Sequence, residues 1–192
     1  FALVIAAWRA RYPALPPAFL AEDGPIFFQQ QFVDGWSSLL RPYAGYFTTF
    51  QRVAALAVAP LGSPLAPTAY FAAWCVALAW SVWTIARANV PLAAVYAAAV
   101  MLTPQNGNLI ATLTNVQWFL ATAMIFVVST PSPVNRAGRL NQLAIVAASG
   151  LSGPFVFFAL PVAIARLFVR NDAHARLIAG IVGLTSIIQA TA

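Results

Sequence analysis

The chain has 192 residues and few charges: ten Arg, no Lys and four acids, 7% of the total. Soluble domains carry roughly 25%. Hydrophobic residues make up 61% and the mean hydropathy is +0.80, so too little polar surface exists to cover a water-soluble globular domain. Disorder is excluded on the same ground, and a disulfide scaffold by the single Cys75. The composition predicts an all-α, polytopic helical membrane protein.

The opening apolar run, Phe1 to Trp8, falls short of the about 20 residues needed to cross ~30 Å of hydrocarbon. It also lacks the basic start and small-residue cleavage site of a signal peptide. It reads as the end of a first span, and the chain as a fragment. Residues 9–67 read as an outer loop with interfacial, amphipathic helices. This region is rich in Pro and aromatics and holds Glu22, Asp23 and Asp34. Within it Gly45 to Leu61 reads as a helix lying on one face without crossing, and Pro60, Gly62, Pro64 and Pro67 break the apolar run that follows.

Spans are predicted at 68–86, 90–103 and 115–129, the last two separated by turn residues Pro104 to Asn108. Residues 141–150 and 154–169 read as short hairpin helices meeting at Gly150-Leu151-Ser152-Gly153-Pro154, because Pro154 removes a helix bond. Residues 177–192 read as a truncated span. The whole is one transmembrane unit, 1–192. Arg87, Arg136, Arg139, Arg170 and Arg176 mark the inner side. That leaves 9–67, 104–114 and 150–154 outside. The net charge of +6 is spread over singly scattered Arg residues, so a nucleic-acid partner is excluded.

Adjacent Glu22 and Asp23 are the leading candidates for chemistry. An acid at an apolar boundary has a raised pKa that suits a general base. The competing structural role for Asp23 is an N-cap ahead of Gly24-Pro25. Asp34 reads as a partner of Arg41 or as simply solvated, and Gln29-Gln30-Gln31 as an exposed helix face. Arg41 and Arg52 are the cations nearest the acids, with the planar donor fork that phosphate requires. Tyr43, Tyr46 and Trp36 fit an interfacial aromatic belt. Asn115 and Gln117, preceded by Asn106 and Asn108, are amides placed either to orient a polar ligand or to satisfy broken backbone. Cys75 reads as packing. His174 has no second His, so a His or Cys metal site is unsupported. Neither a Gly-Lys-Ser/Thr phosphate loop nor a Gly-x-Ser-x-Gly elbow is present.

In this order, the features resemble the GT-C superfamily of integral-membrane glycosyltransferases, bacterial and dependent on polyprenyl-phosphate sugars, over roughly residues 1–170. Glu22-Asp23 stands where that family has an outer acidic pair. Arg41-Pro42-Tyr43 stands for its His-Pro-Pro-type turn, Asn115-Val116-Gln117-Trp118 for its second outer motif, and Leu151-Ser152-Gly153-Pro154 for its Gly-Pro turn. With Asn115 in place of an acid, a divalent metal is not supported. The resemblance implies an inverting transferase of the bacterial inner membrane, with residues 9–67 facing the periplasm. It would move sugar from a polyprenyl-phosphate carrier to an acceptor of the cell envelope. Asp23 or Glu22 would deprotonate that acceptor. Arg41 or Arg52 would neutralise the leaving phosphate, and Tyr43, Asn115 and Gln117 would bind substrate. The lipid bilayer would be the partner and no cofactor would be needed. The alternatives are a transporter or permease and a non-catalytic membrane scaffold subunit.

Overall fold

A computed structural model describes Val4, Trp8 and residues 18–88, 90–102, 110–170 and 172–192. The readings that fall on Pro104, Asn106 and Asn108, and most of the opening apolar run, lie outside these residues. The chain starts with short irregular turns: 3-10 at Ala21–Asp23, a π turn at Gly24–Phe28, helix α1 (Gln29–Asp34) and 3-10 again at Gly35–Leu40. A tight turn follows, in which Tyr43 and Tyr46 exchange backbone hydrogen bonds of 2.9 and 3.2 Å. Its central residues Ala44 and Gly45 have φ of 53° and 82°, the left-handed pair that a two-residue hairpin turn requires.

Longer helices come next. Helix α2 (Thr49–Val58) runs through a 3-10 turn at Ala59–Leu61 into α3 (Gly62–Ala86), followed by α4 (Ala93–Leu102), α5 (Val116–Ser129), α6 (Arg136–Gly150), α7 (Val156–Val169) and α8 (Ala173–Gln189). Helix α3 packs on α4 and α5; α5 packs on α6 and α7; α8 packs on α6 and α7. The core lies between them. Helix α3 buries Tyr70, Trp74, Ala77, Leu78 and Ile85, and α5 buries Val116, Leu120, Ala123, Met124 and Val127. Both sets recur at three and four residues, so each helix turns one stripe inward.

Polar side chains start and tie the helices. The Asn135 side chain accepts from Gly138 N at 2.6 Å to cap α6, and Asp172 accepts from Ala175 N at 2.9 Å to cap α8. Helix α2 borrows its acceptors from a distant turn: Thr49 N donates to Leu151 O at 3.0 Å and Phe50 N to Ser152 Oγ at 2.9 Å. The Gln189 side chain joins Phe47 and Gly150 through three hydrogen bonds of 2.8 to 3.1 Å.

The all-α class is borne out; the polytopic membrane fold is not. Among the described residues, one continuous helical stretch, Thr49–Ala86, is long and apolar enough to cross a membrane. Nearly half of its most apolar window, 44%, is buried inside the bundle. The other apolar helices have 10–17 residues. At 1.5 Å per residue these are about 15 to 26 Å long, short of ~30 Å. Hydropathy registers apolar content and not its destination. Here a core of apolar side chains forms between the helices, and Gln51, Arg52, Gln117, Gln142 and Arg166 are buried with it. With the spans fall the lipid bilayer as partner, the inner-membrane placement and the periplasmic assignment of 9–67.

Two outcomes follow from the packing. A Cβ on Gly150 would lie 2.9 Å from Thr185 Cβ and against its hydroxyl. Gly150→Ala is therefore expected to cost about 1–3 kcal/mol in urea unfolding, with the α6–α8 contact forced apart. His174 is buried and shares a hydrogen bond of 3.0 Å with Gln142 Oε1. Burial, then nearby Arg166, lowers its pKa from the ordinary 6.5. The unfolded chain therefore binds the extra proton first. Stability is complete above about pH 6.5 and falls as the pH drops toward the lowered folded value. In His174→Gln the slope of unfolding free energy against pH in that window should flatten.

Candidate functional site

Asp23 ties the irregular first segment to the loop that leads into α5. It is 1% exposed. Its Oδ2 accepts from Leu113 N at 2.8 Å, and its Oδ1 accepts from Thr114 N at 2.7 Å and from Thr114 Oγ1 at 2.6 Å. Burial raises its pKa, the three donors pull it down, and neighbouring Glu22 pushes it up. The side chain does not cap the helical turn that follows it. It caps the approach to α5, ninety residues away in sequence. Ala21 (φ 48°) and Ala111 (φ 65°), both left-handed, flank the two halves of this latch.

Around the latch lies a second tier. Gln51 Nε2 donates to Thr114 O at 3.1 Å. Arg52 is 1% exposed and its guanidinium lies over the Phe27 ring at 5.0 Å. Its Nη2 donates to Arg41 O at 3.2 Å, while its Nε and Nη1 have no acceptor. Gln51 Oε1 and the Tyr70 hydroxyl are also buried without partners. Tyr70 feels the charges of both Asp23 and Arg52, and burial pushes its pKa up. Burial, then Arg41, lowers the pKa of Arg52.

The rim consists of the Arg41–Tyr46 turn. The Tyr43 ring meets Phe27 edge-on at 5.6 Å, so Phe27 sits between Tyr43 and Arg52. The Tyr43 hydroxyl faces Glu22, and burial and that carboxylate raise its pKa. Gln117 Nε2 donates to the Tyr46 hydroxyl at 3.2 Å, leaving Oε1 without a partner. Asn115 Nδ2 donates to Thr112 Oγ1 at 3.2 Å in the same loop.

The structure thus gathers Glu22, Asp23, Tyr43, Arg52 and Gln117 at one end of the bundle, with Asn115 beside them. Arg41 contributes its carbonyl there; its side chain is half exposed and pairs with Asp34 at 2.5 Å. Gln31 is buried and accepts from Ser38, in contrast to the exposed face expected for the Gln run. Gln51, Tyr70 and Thr114 were not singled out by the sequence. Tyr70 carried a signal: it lies four residues from both Ala66 and Trp74, on the buried stripe of α3.

No family model, curated protein or solved structure matches the chain. The resemblance to GT-C glycosyltransferases is corrected accordingly. Its arrangement of membrane helices is missing among the described residues, and both Asp23 oxygens are engaged by protein donors. Among those residues, no group of three or more His, Cys, Asp or Glu is placed to hold a metal. The inverting transferase and its polyprenyl-phosphate donor drop out. The permease and membrane-scaffold alternatives were built on the same spans and drop out with them.

One result tests the latch. Asp23→Asn keeps the shape but loses the charge and puts an amide against backbone N–H donors. Hydrogen bonds to charged groups contribute about 1.5–3 kcal/mol, so a loss of about 2 kcal/mol or more in unfolding free energy is expected. Hydrogen exchange should rise at the amides of Leu113 and Thr114.

Proposed function

We propose that this chain is a binding domain for a small anionic ligand, taking a carboxylate or phosphate group on Arg52. The observation that carries this reading is the state of that guanidinium. It is buried and has one neutral acceptor, with two of its nitrogens unmatched. The ion pair at this end, Arg41 with Asp34, leaves it out. An isolated buried cation is strongly unfavourable, and arginine's fork matches carboxylate and phosphate oxygens.

The neighbours fit the same ligand. The Tyr70 hydroxyl is a second donor, and Gln51 Oε1 and Gln117 Oε1 are acceptors for hydroxyl groups of the ligand. Asp23 keeps the floor in place through Thr114, which also holds Gln51. Tyr43 and Tyr46 form the cover, held by Glu22 and Gln117, and the ligand enters where that turn lifts. Asn115 steadies the loop beside the opening. In this reading Glu22 and Asp23 shape the site, while Arg52, Tyr43 and Gln117 contact the ligand.

Thermal unfolding at constant ionic strength tests it. Inorganic phosphate or acetate in place of chloride should raise the Tm of the wild type, with stabilisation near 2.7 kcal/mol at a hundredfold excess over Kd. Arg52→Met should remove the acetate response and markedly reduce the phosphate response. It should also raise the anion-free stability, because an unpaired buried charge is exchanged for an apolar side chain of similar reach. Wild-type protein indifferent to both anions, or a variant that keeps the full response, overturns the proposal.

A further inference from the structure

We propose a second oxyanion site, centred on Arg166, at the opposite end of the bundle. Arg166 lies in the last turn of α7 and is 6% exposed. Its Nη1 donates to Val127 O at 2.8 Å and its Nη2 to Ser132 Oγ at 2.9 Å. Its Nε is buried and has no acceptor. The nearest acid, Asp172, lies one hydroxyl further on. Ser132 Oγ is 3.1 and 3.0 Å from its two oxygens, and Asp172 is already committed to capping α8. The guanidinium therefore meets only neutral acceptors directly.

A cavity of about 270 Å³ opens beside it, lined by Ser129, Thr130, Val162, Arg166, Val169 and Arg170 among others. Water occupies ~30 Å³ per molecule, so a tetrahedral anion fits with several waters. Arg170 is exposed at the mouth and supplies a second cation. The Thr130 hydroxyl lines the cavity and makes only a long bond of 3.3 Å, to Val127 O. Around His174, Arg166 and Arg139 push its pKa down while Asp172 pushes it up, so two arginines and one carboxylate share this end. Two arginines, one buried with a donor to spare, and a hydroxyl around a small cavity suit phosphate or sulfate. This site shares no residue with the Arg52 site.

Titration of inorganic phosphate into the full chain, followed by calorimetry, separates the two sites. In Arg52→Met, one phosphate is expected still to bind. Arg170→Ala in that background should weaken it about tenfold with an unchanged circular dichroism spectrum and Tm, and Arg166→Met should abolish it. If Arg166→Met does not fold, the exposed Arg170 variant alone decides. Phosphate binding untouched by Arg170→Ala, or absent from Arg52→Met altogether, overturns this second site. Wild-type binding that Arg52→Met leaves whole but Arg170→Ala weakens overturns the Arg52 reading and supports this one.

Discussion

The carboxylate of Asp23 holds together two segments that have little structure of their own. Residues 21–40 are a string of short turns, and residues 110–115 precede α5 without being helical. Neither segment buries a regular apolar stripe. They are joined by two backbone N–H groups and one hydroxyl converging on a single anion. A carboxylate at this point also faces the positive end of the α5 dipole. The strain beside it shows how strongly the contact is favoured. Left-handed backbone costs a non-Gly residue roughly 1–2 kcal/mol, and Ala21 and Ala111 both adopt it. Three charge-assisted hydrogen bonds compensate part of the cost of burying the charge, and its pKa still stays raised. The second tier follows from this latch, since Gln51 is fixed by the Thr114 carbonyl and Phe27 lies one turn beyond Asp23.

Asp23 and Arg52 are the two charges fully buried at this end, and they are treated in opposite ways. The anion is saturated with donors. The cation is placed on an aromatic face and a single carbonyl, with its remaining N–H groups unused. A chain selected only for stability would pair the two or replace Arg52 with an apolar residue. The Tyr70 hydroxyl lies within electrostatic reach of both and has no partner. Buried donors and acceptors without partners are few in native interiors, and each calls for an explanation; the proposed ligand supplies one for Arg52, Gln51 and Tyr70.

Much of the helical content was legible, because long uncharged runs rich in Ala, Leu, Val and Phe bury a face wherever they go. The break at Pro154 was equally legible, since proline cannot extend α6 into α7 with an intact hydrogen-bond ladder. What composition left open was whether apolar faces meet one another or something else. Hydropathy sums to the same value in both cases. The distinction lay in polar residues on the inward stripes, Gln51, Tyr70, Gln117 and Gln142, each of which needs a partner across the bundle. At the site, the acidic pair drew notice as carboxylates at an apolar boundary. Its partners did not. Thr114 is ninety-one positions from Asp23, and no local spacing rule connects them. Asp34 and Arg41 did pair, since seven residues across a turn bring them within reach.

Helix α5 relates the two ends of the molecule. Its N-terminal approach is held by the Asp23 anion and its last turn by the Arg166 cation on the Val127 carbonyl. Each charge therefore faces the helix end of opposite sign, an arrangement that contributes about 0.3–1 kcal/mol per end and more where burial limits screening. The 14 residues between form a rod of about 21 Å that packs on α3, α6 and α7 along its length. Arg52 and Arg166 each lie beside one of these anchors, and neither has a carboxylate of its own. The charges matched to α5 are matched by hydrogen bonds to its backbone or to the loop that enters it. In each case the protein satisfies the helix terminus first and leaves part of the guanidinium without an acceptor.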